Sequence, residues 1–127
     1  MALNHKHLIV RGHIMQTTKS EDVLNRMLND VVNMICMRVM MGPYSKYLDV
    51  QGNRGITGVV VIETSHLSCH IWDEQFPHLI QLDIYSCKDF DPQVVINVVD
   101  SYFCFIDYQI MVIDRNEGLK LLKEESV

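Results

Sequence analysis

Residues 55–74 read GITGVVVIETSHLSCHIWDE, and how this stretch is divided into strands decides the fold. Gly58–Ile62 is a β-rich run and His66–Trp72 is a second. In the second run side chains alternate. His66, Ser68, His70 and Trp72 share one face, and Leu67, Cys69 and Ile71 share the other. The second set is fit for a core. The first is either a solvated surface or chemistry.

Outward from these two runs the chain reads as further strands and two helices. His7–Ile14 reads as a first strand. Thr17 to Asp22 then supplies an N-cap hydroxyl and acids for a first helical turn near Ser20. Val23, Leu24, Met27, Leu28, Val31, Val32 and Ile35 recur at three- and four-residue spacing, one apolar stripe to lay on a sheet. Met34–Met41 is ambiguous between the end of that helix and a second strand, and its methionines read as adaptable core filler. Gly42–Gly55 holds most of the turn-forming residues together with Tyr44 and Tyr47, and is expected to be a long connection. Leu79–Ser86 alternates as a further strand. Asp91-Pro92 opens a second helix reaching about Cys104, with Val94, Val95, Val98, Val99 and Tyr102 as its stripe, and Ile106–Ile113 closes the chain's regular structure. The order β-α-β-β-β-β-α-β predicts an α+β two-layer sandwich, a mainly antiparallel sheet with both helices on one face. The other face then meets solvent or a second subunit.

With 127 residues and 48% hydrophobic content the chain is expected to form a single domain over 1–127. Eleven basic residues against 16 acidic ones, a net charge of -5 and no basic run leave no electrostatic footprint for nucleic acid. Arg11 and His13 interrupt the short apolar run near the N-terminus, so neither a signal peptide nor a membrane span is expected, and the location expected is cytoplasmic. Cys36, Cys69, Cys87 and Cys104 have no paired spacing and are expected to be free thiols. No metal is expected either. On a strand His66 and His70 stand about 13 Å apart, too far to share one ion.

The same stretch resembles the signature of the prokaryotic S-adenosylmethionine decarboxylases, which runs Gly-x-Ser/Thr-Gly-Val-Val-Val-Ile, two residues, then Ser-His-Leu-x-x-His-x-Trp-x-Glu. The match here is long and gapless, and LDIYSC (Leu82–Cys87) is similar to the family's strand ending in a catalytic cysteine. The N-terminal HLIV is a weaker echo. The resemblance implies an enzyme of spermidine synthesis that cleaves its own backbone before Ser65, giving a β chain of 1–64 and an α chain of 65–127 that starts with a pyruvoyl cofactor. That ketone would form a Schiff base with the amine of S-adenosylmethionine and draw off the electrons released with carbon dioxide.

Residue by residue, the resemblance implies that Thr64 and Ser65 flank the cleaved bond and that Ser65 becomes the pyruvoyl group. It makes His70 the base of processing and Cys87 the proton donor in turnover. Trp72 and Glu74 would meet the nucleoside, Thr57 and Leu67 would line the same pocket, and Tyr44 and Tyr47 are the candidates for an adenine-facing aromatic. A homodimer with sites near the interface is implied as well. One departure stands out: the family carries glutamate directly before the cleaved serine, whereas this chain has Glu63-Thr64-Ser65. A one-residue shift along a strand turns a side chain to the opposite face, so Glu63 is no simple substitute. The alternatives are an unprocessed homologue that binds a nucleoside or regulates an active partner, and a pyruvoyl decarboxylase acting on arginine or ornithine.

Overall fold

The computed structural model describes residues 4–127. Residues 1–3 lie outside that range. The elements in chain order are β1 (Lys6–Ile14), α1 (Glu21–Met34), β2 (Val39–Leu48), β3 (Gly55–Ile62), β4 (Ser65–Trp72), β5 (His78–Ser86), α2 (Pro92–Phe103), β6 (Phe105–Asp114) and β7 (Lys120–Ser126). The strands form one antiparallel sheet in the order β2-β3-β4-β5-β1-β6-β7. β5 and β6 both run antiparallel to β1, so α2 carries the chain over β1, and α1 carries it from the middle of the sheet to the β2 edge.

Local chemistry accounts for the helix ends. Ser20 caps α1 by accepting from the Val23 N–H at 3.2 Å, with Glu21 and Asp22 in the first turn where acids complement the helix dipole. Asp91 caps α2 through the Gln93 N–H at 2.9 Å, and Pro92 takes the first helical position, where a missing N–H costs nothing. Leu24, Met27, Leu28, Val31 and Val32 of α1 and Val95, Ile96, Val99 and Phe103 of α2 pack on Leu8, Val10, Ile56, Val60, Leu67, Cys69, Ile80 and Ile84. This is the expected two-layer sandwich.

Two expectations about the chain's course require correction. The stretch 42–55 is not one long connection: β2 runs from Val39 to Leu48, straight through Gly42-Pro43, and the loop proper is only 49–54. Pairing with β3 survives because the register shifts on either side of Met41, so the proline sits at an irregularity of an edge strand and interrupts no ladder bond that it would have to donate. The ambiguity over 34–41 resolves accordingly. α1 stops at Met34, and Cys36 takes a positive φ of 61° as the chain turns into Met37. A seventh strand, β7, was also not expected. Its sequence, KLLKEES, is almost wholly exposed, and it is recruited by the edge of β6 rather than by burial.

The face of the sheet away from the helices is uncovered in the isolated chain. Thr57 of β3, His66, Ser68, His70 and Trp72 of β4, and Gln81, Asp83 and Tyr85 of β5 lie on it in register, and His7, Ile9, Arg11 and His13 continue it across β1.

Candidate active site

The β3–β4 connection is a two-residue hairpin. Ile62 pairs with Ser65, and Glu63-Thr64 forms the turn. Ser65 has φ of 144°, a conformation natural to glycine that costs another residue about 1–3 kcal/mol. Across the sheet Ser65 pairs with Ser86, and the N–H of Cys87 donates to the Thr64 carbonyl oxygen at 2.9 Å. The bond continues the β4–β5 ladder, and it also polarises the carbonyl of the Thr64–Ser65 peptide from the side where an oxyanion would form. The strand pairing thus brings Thr64, Ser65 and Cys87 together. Glu63 turns elsewhere: its N–H donates to the Arg38 carbonyl at 3.0 Å and its carboxylate lies 3.8 Å from the Arg38 guanidinium.

A second group of expected residues gathers farther along the sheet. His70 pairs with Thr57, and its Nδ1 lies 3.0 Å from the Thr57 hydroxyl. Its ring stacks near Trp72 with centroids 5.9 Å apart. Trp72 Nε1 donates to Asn53 at 2.9 Å, and Glu74 accepts from the Arg54 N–H at 3.0 Å, so the 49–54 loop is pinned to both. Beside them a groove of about 380 Å³ is lined by Trp72, Glu74, Arg11, His13, Arg54 and Leu79, among others. Within one chain this group does not meet the first. His70 is five residues from Ser65, roughly 16 Å along an extended strand.

The remaining expected residues sort by face. Leu67 is fully buried in the core, so its side chain lines no pocket on the open face. Tyr44 is 67% exposed and stands on the open face, paired with Val59, whereas Tyr47 turns toward α1 and donates its hydroxyl to Asp73 at 2.8 Å. Of the cysteines, Cys69 is wholly buried and its thiol is pushed up to about 12 by that burial, which removes it from thiolate chemistry. Cys87 is partly accessible and Cys36 and Cys104 are exposed.

Sequence reasoning missed the partners of Thr64. Ser86 is completely buried, and with Met37 it surrounds the Thr64 hydroxyl. It also missed the cluster around Tyr85, whose hydroxyl lies 2.6 Å from His5 Nδ1 and whose ring lies 4.0 Å beneath the Arg115 guanidinium, with His7 and His66 on its flanks. Burial, reinforced by Arg115 and His66, holds the His7 imidazole below its ordinary value of 6.5 against the opposing pull of Asp83.

The architecture and the hairpin define a small α+β domain whose only strained strand residue is a serine behind a hydrogen-bonded carbonyl, among the described residues. The chain belongs to the S-adenosylmethionine decarboxylase family, whose model matches residues 6–116. It is similar to an S-adenosylmethionine decarboxylase proenzyme of Archaeoglobus fulgidus, 32% identical over 69 residues that cover 54% of this chain and 56% of the relative. It is also similar to a protein of that name in Bacillus velezensis, 37% identical over 46 residues covering 36% of this chain and 35% of the relative. The matches span about half the length of the first relative and about a third of the second. No helix among the described residues is long and apolar enough to cross a membrane.

Proposed function

We propose that the protein is an S-adenosylmethionine decarboxylase proenzyme of spermidine biosynthesis, a single cytoplasmic domain that cleaves itself between Thr64 and Ser65 into chains 1–64 and 65–127. The observation that carries this reading is the positive φ of Ser65 next to a Thr64 carbonyl held by the Cys87 N–H. Both features favour attack on that carbonyl: strain raises the ground state of the peptide, and the N–H receives the developing negative charge. In the acyl shift the Ser65 oxygen bonds to the Thr64 carbonyl carbon, the Thr64–Ser65 C–N bond breaks, and the hydroxyl proton passes to the freed amine. Removal of the Ser65 α-proton then expels Thr64 as a carboxylate and leaves dehydroalanine. Its imine tautomer takes up water and releases ammonia. The pyruvoyl group so formed supplies the ketone and the electron sink for decarboxylation.

Thr57 and His70 make a hydroxyl–imidazole pair able to move a proton, yet they stand far from Ser65 of their own chain. We assign them to the Ser65 of a second copy packed on the open face, so the working form is a homodimer with its sites at the interface. To Cys87, one residue beyond the partner of Ser65 in the ladder, we assign the return of a proton to the substrate carbon. Trp72 and Glu74 at the mouth of the groove are assigned to the nucleoside, with Tyr44 the aromatic that shares their face.

A second reading, an unprocessed homologue that binds nucleoside, is favoured by one observation: Glu63 engages Arg38 and not the scissile bond. Denaturing electrophoresis and intact mass of the purified protein separate the two. Chains of 1–64 and 65–127, the latter blocked at its N-terminus, are expected. A persistent full-length chain after long incubation would sink self-processing. Once cleavage is seen, carbon dioxide release from S-adenosylmethionine compared with arginine and ornithine identifies the substrate.

A further inference from the structure

Thr64 stands where the resemblance calls for glutamate, and its hydroxyl is not idle. It donates to the Met37 thioether at 3.3 Å and accepts from Ser86 Oγ at 3.1 Å. Ser86 in turn accepts from the Lys88 N–H at 3.0 Å. Its single proton serves Thr64, because the contact to Met37 is longer at 3.5 Å and the sulfur already receives the Thr64 proton. A one-way chain results, from Lys88 N–H through Ser86 and Thr64 to Met37. The Lys88 ammonium closes it by bonding the Cys36 carbonyl at 2.8 Å, one residue before Met37.

The chain's position is as telling as its connectivity. Ser86 is the one buried polar residue among those described, and a buried hydroxyl is costly unless its bonds are made. Here the hydroxyl's one proton goes to the residue that donates the scissile carbonyl. Thr64 is held by its side chain through Ser86 and Met37 and by its carbonyl through Cys87, while the Arg38 carbonyl holds the preceding Glu63 N–H. With the turn fixed at each of these points, the backbone mismatch of the hairpin falls on Ser65 and stays there.

We propose, resting on the reading of Ser65 as the cleaved residue, that Ser86 is a positioning residue for self-cleavage: with Met37 it clamps the Thr64 hydroxyl and so fixes the orientation of the residue that donates the scissile carbonyl. Where the resemblance calls for a carboxylate, position 64 has neutral hydroxyl bonding supplied from β5 and from the turn after α1. No charge is needed, because the clamp acts on orientation.

The test follows first-order self-cleavage of freshly purified chains by intact mass, for wild type, Thr64→Val, Thr64→Ser, Ser86→Ala, Met37→Leu and the Thr64→Val/Ser86→Ala double variant. Thermal melting of each is measured in a Ser65→Ala background. Thr64→Val keeps the branched shape and removes the hydroxyl, so it and Ser86→Ala are each expected to slow cleavage about tenfold, the weight of one hydrogen bond. The double variant is expected to be no slower than the slower single, since both cut one unit. Thr64→Ser is expected to recover most of the rate lost in Thr64→Val, which a purely structural role for the threonine would not require. Met37→Leu, which conserves volume, keeps the test valid should the buried Ser86→Ala chain misfold, and is expected to slow cleavage as well. Rates unchanged in Thr64→Val and Met37→Leu, or effects that multiply in the double variant, would overturn the clamp while leaving self-processing intact. A wild-type chain that never cleaves would overturn both.

Discussion

At the scale of single residues, the strain at Ser65 is open to direct measurement. Ser65→Ala and Ser65→Gly both lack the hydroxyl and are expected to remain full length, so their stabilities compare without the complication of cleavage. Glycine adopts φ near 144° freely and alanine does not, so in urea the glycine variant should be more stable by about 1–2 kcal/mol. Equal stabilities would mean that the hairpin stores nothing at this bond. Cys87→Ala belongs beside them: its backbone N–H survives the substitution, so cleavage should persist while carbon dioxide release falls by about tenfold or more. His7 gives a pH signature. Its folded-state pKa is depressed by burial, so on acidification the unfolded chain takes up a proton that the folded chain resists, and stability declines as pH falls below 6.5. His7→Gln should flatten the fall of the urea midpoint below pH 6.5. At this scale the resemblance offers Thr64, Ser65, His70 and Cys87 as candidates, because they sit in one gapless pattern or end one strand. It could not name Ser86 or Met37 as partners of Thr64, since those contacts join residues 22 and 27 positions apart through strand pairing and a turn.

At the scale of elements, both helices were legible from caps and apolar spacing, because each signal is local. β2 was not, since glycine and proline in its middle are ordinarily punctuation and only pairing with β3 carries the chain through them. β7 was not, since a strand that buries almost nothing leaves no hydrophobic alternation to read. Close pairing of β3 with β4 depends on Gly55, where an added β-carbon would stand 1.9 Å from the Ile71 carbonyl oxygen. Gly55→Ala must therefore push the two strands apart, with an expected cost of about 3 kcal/mol and loss of the Trp72 and Glu74 contacts to the 49–54 loop. Gly52, in that loop with φ of 88° and no atom within 4 Å of an added β-carbon, serves as the control. There alanine meets backbone strain alone, about 1 kcal/mol. Chemical denaturation of the two variants in a Ser65→Ala background compares them directly.

At the scale of the whole molecule, the open sheet face links the fold to the proposed chemistry. It carries Tyr44, Val59, Ile9 and Met111, all exposed, among the polar side chains of β4 and β5, a mixture better suited to contact than to water. Face-to-face packing of two copies about a twofold axis is isologous, so each subunit would offer the Thr57–His70 pair to the other. This arrangement makes a sharp prediction about variants that fail alone. His70→Ala retains Ser65 but brings no imidazole to its partner, and Ser65→Ala retains the imidazole but cannot be cut. Each is expected to stay full length by itself. When the two are unfolded, mixed in equal amounts and refolded, random pairing makes about half of the dimers mixed, and in those the Ser65→Ala subunit presents its His70 to the intact Ser65 of the other. About half of the His70→Ala chains should then be cleaved, distinguishable by mass from the uncut Ser65→Ala chains. Ile9→Glu added to both variants should leave monomers in sedimentation and suppress that cleavage. If the mixture stays full length although sedimentation shows mixed dimers, His70 acts on its own chain or not at all, and the separation seen between His70 and Ser65 would have to close by movement within one subunit.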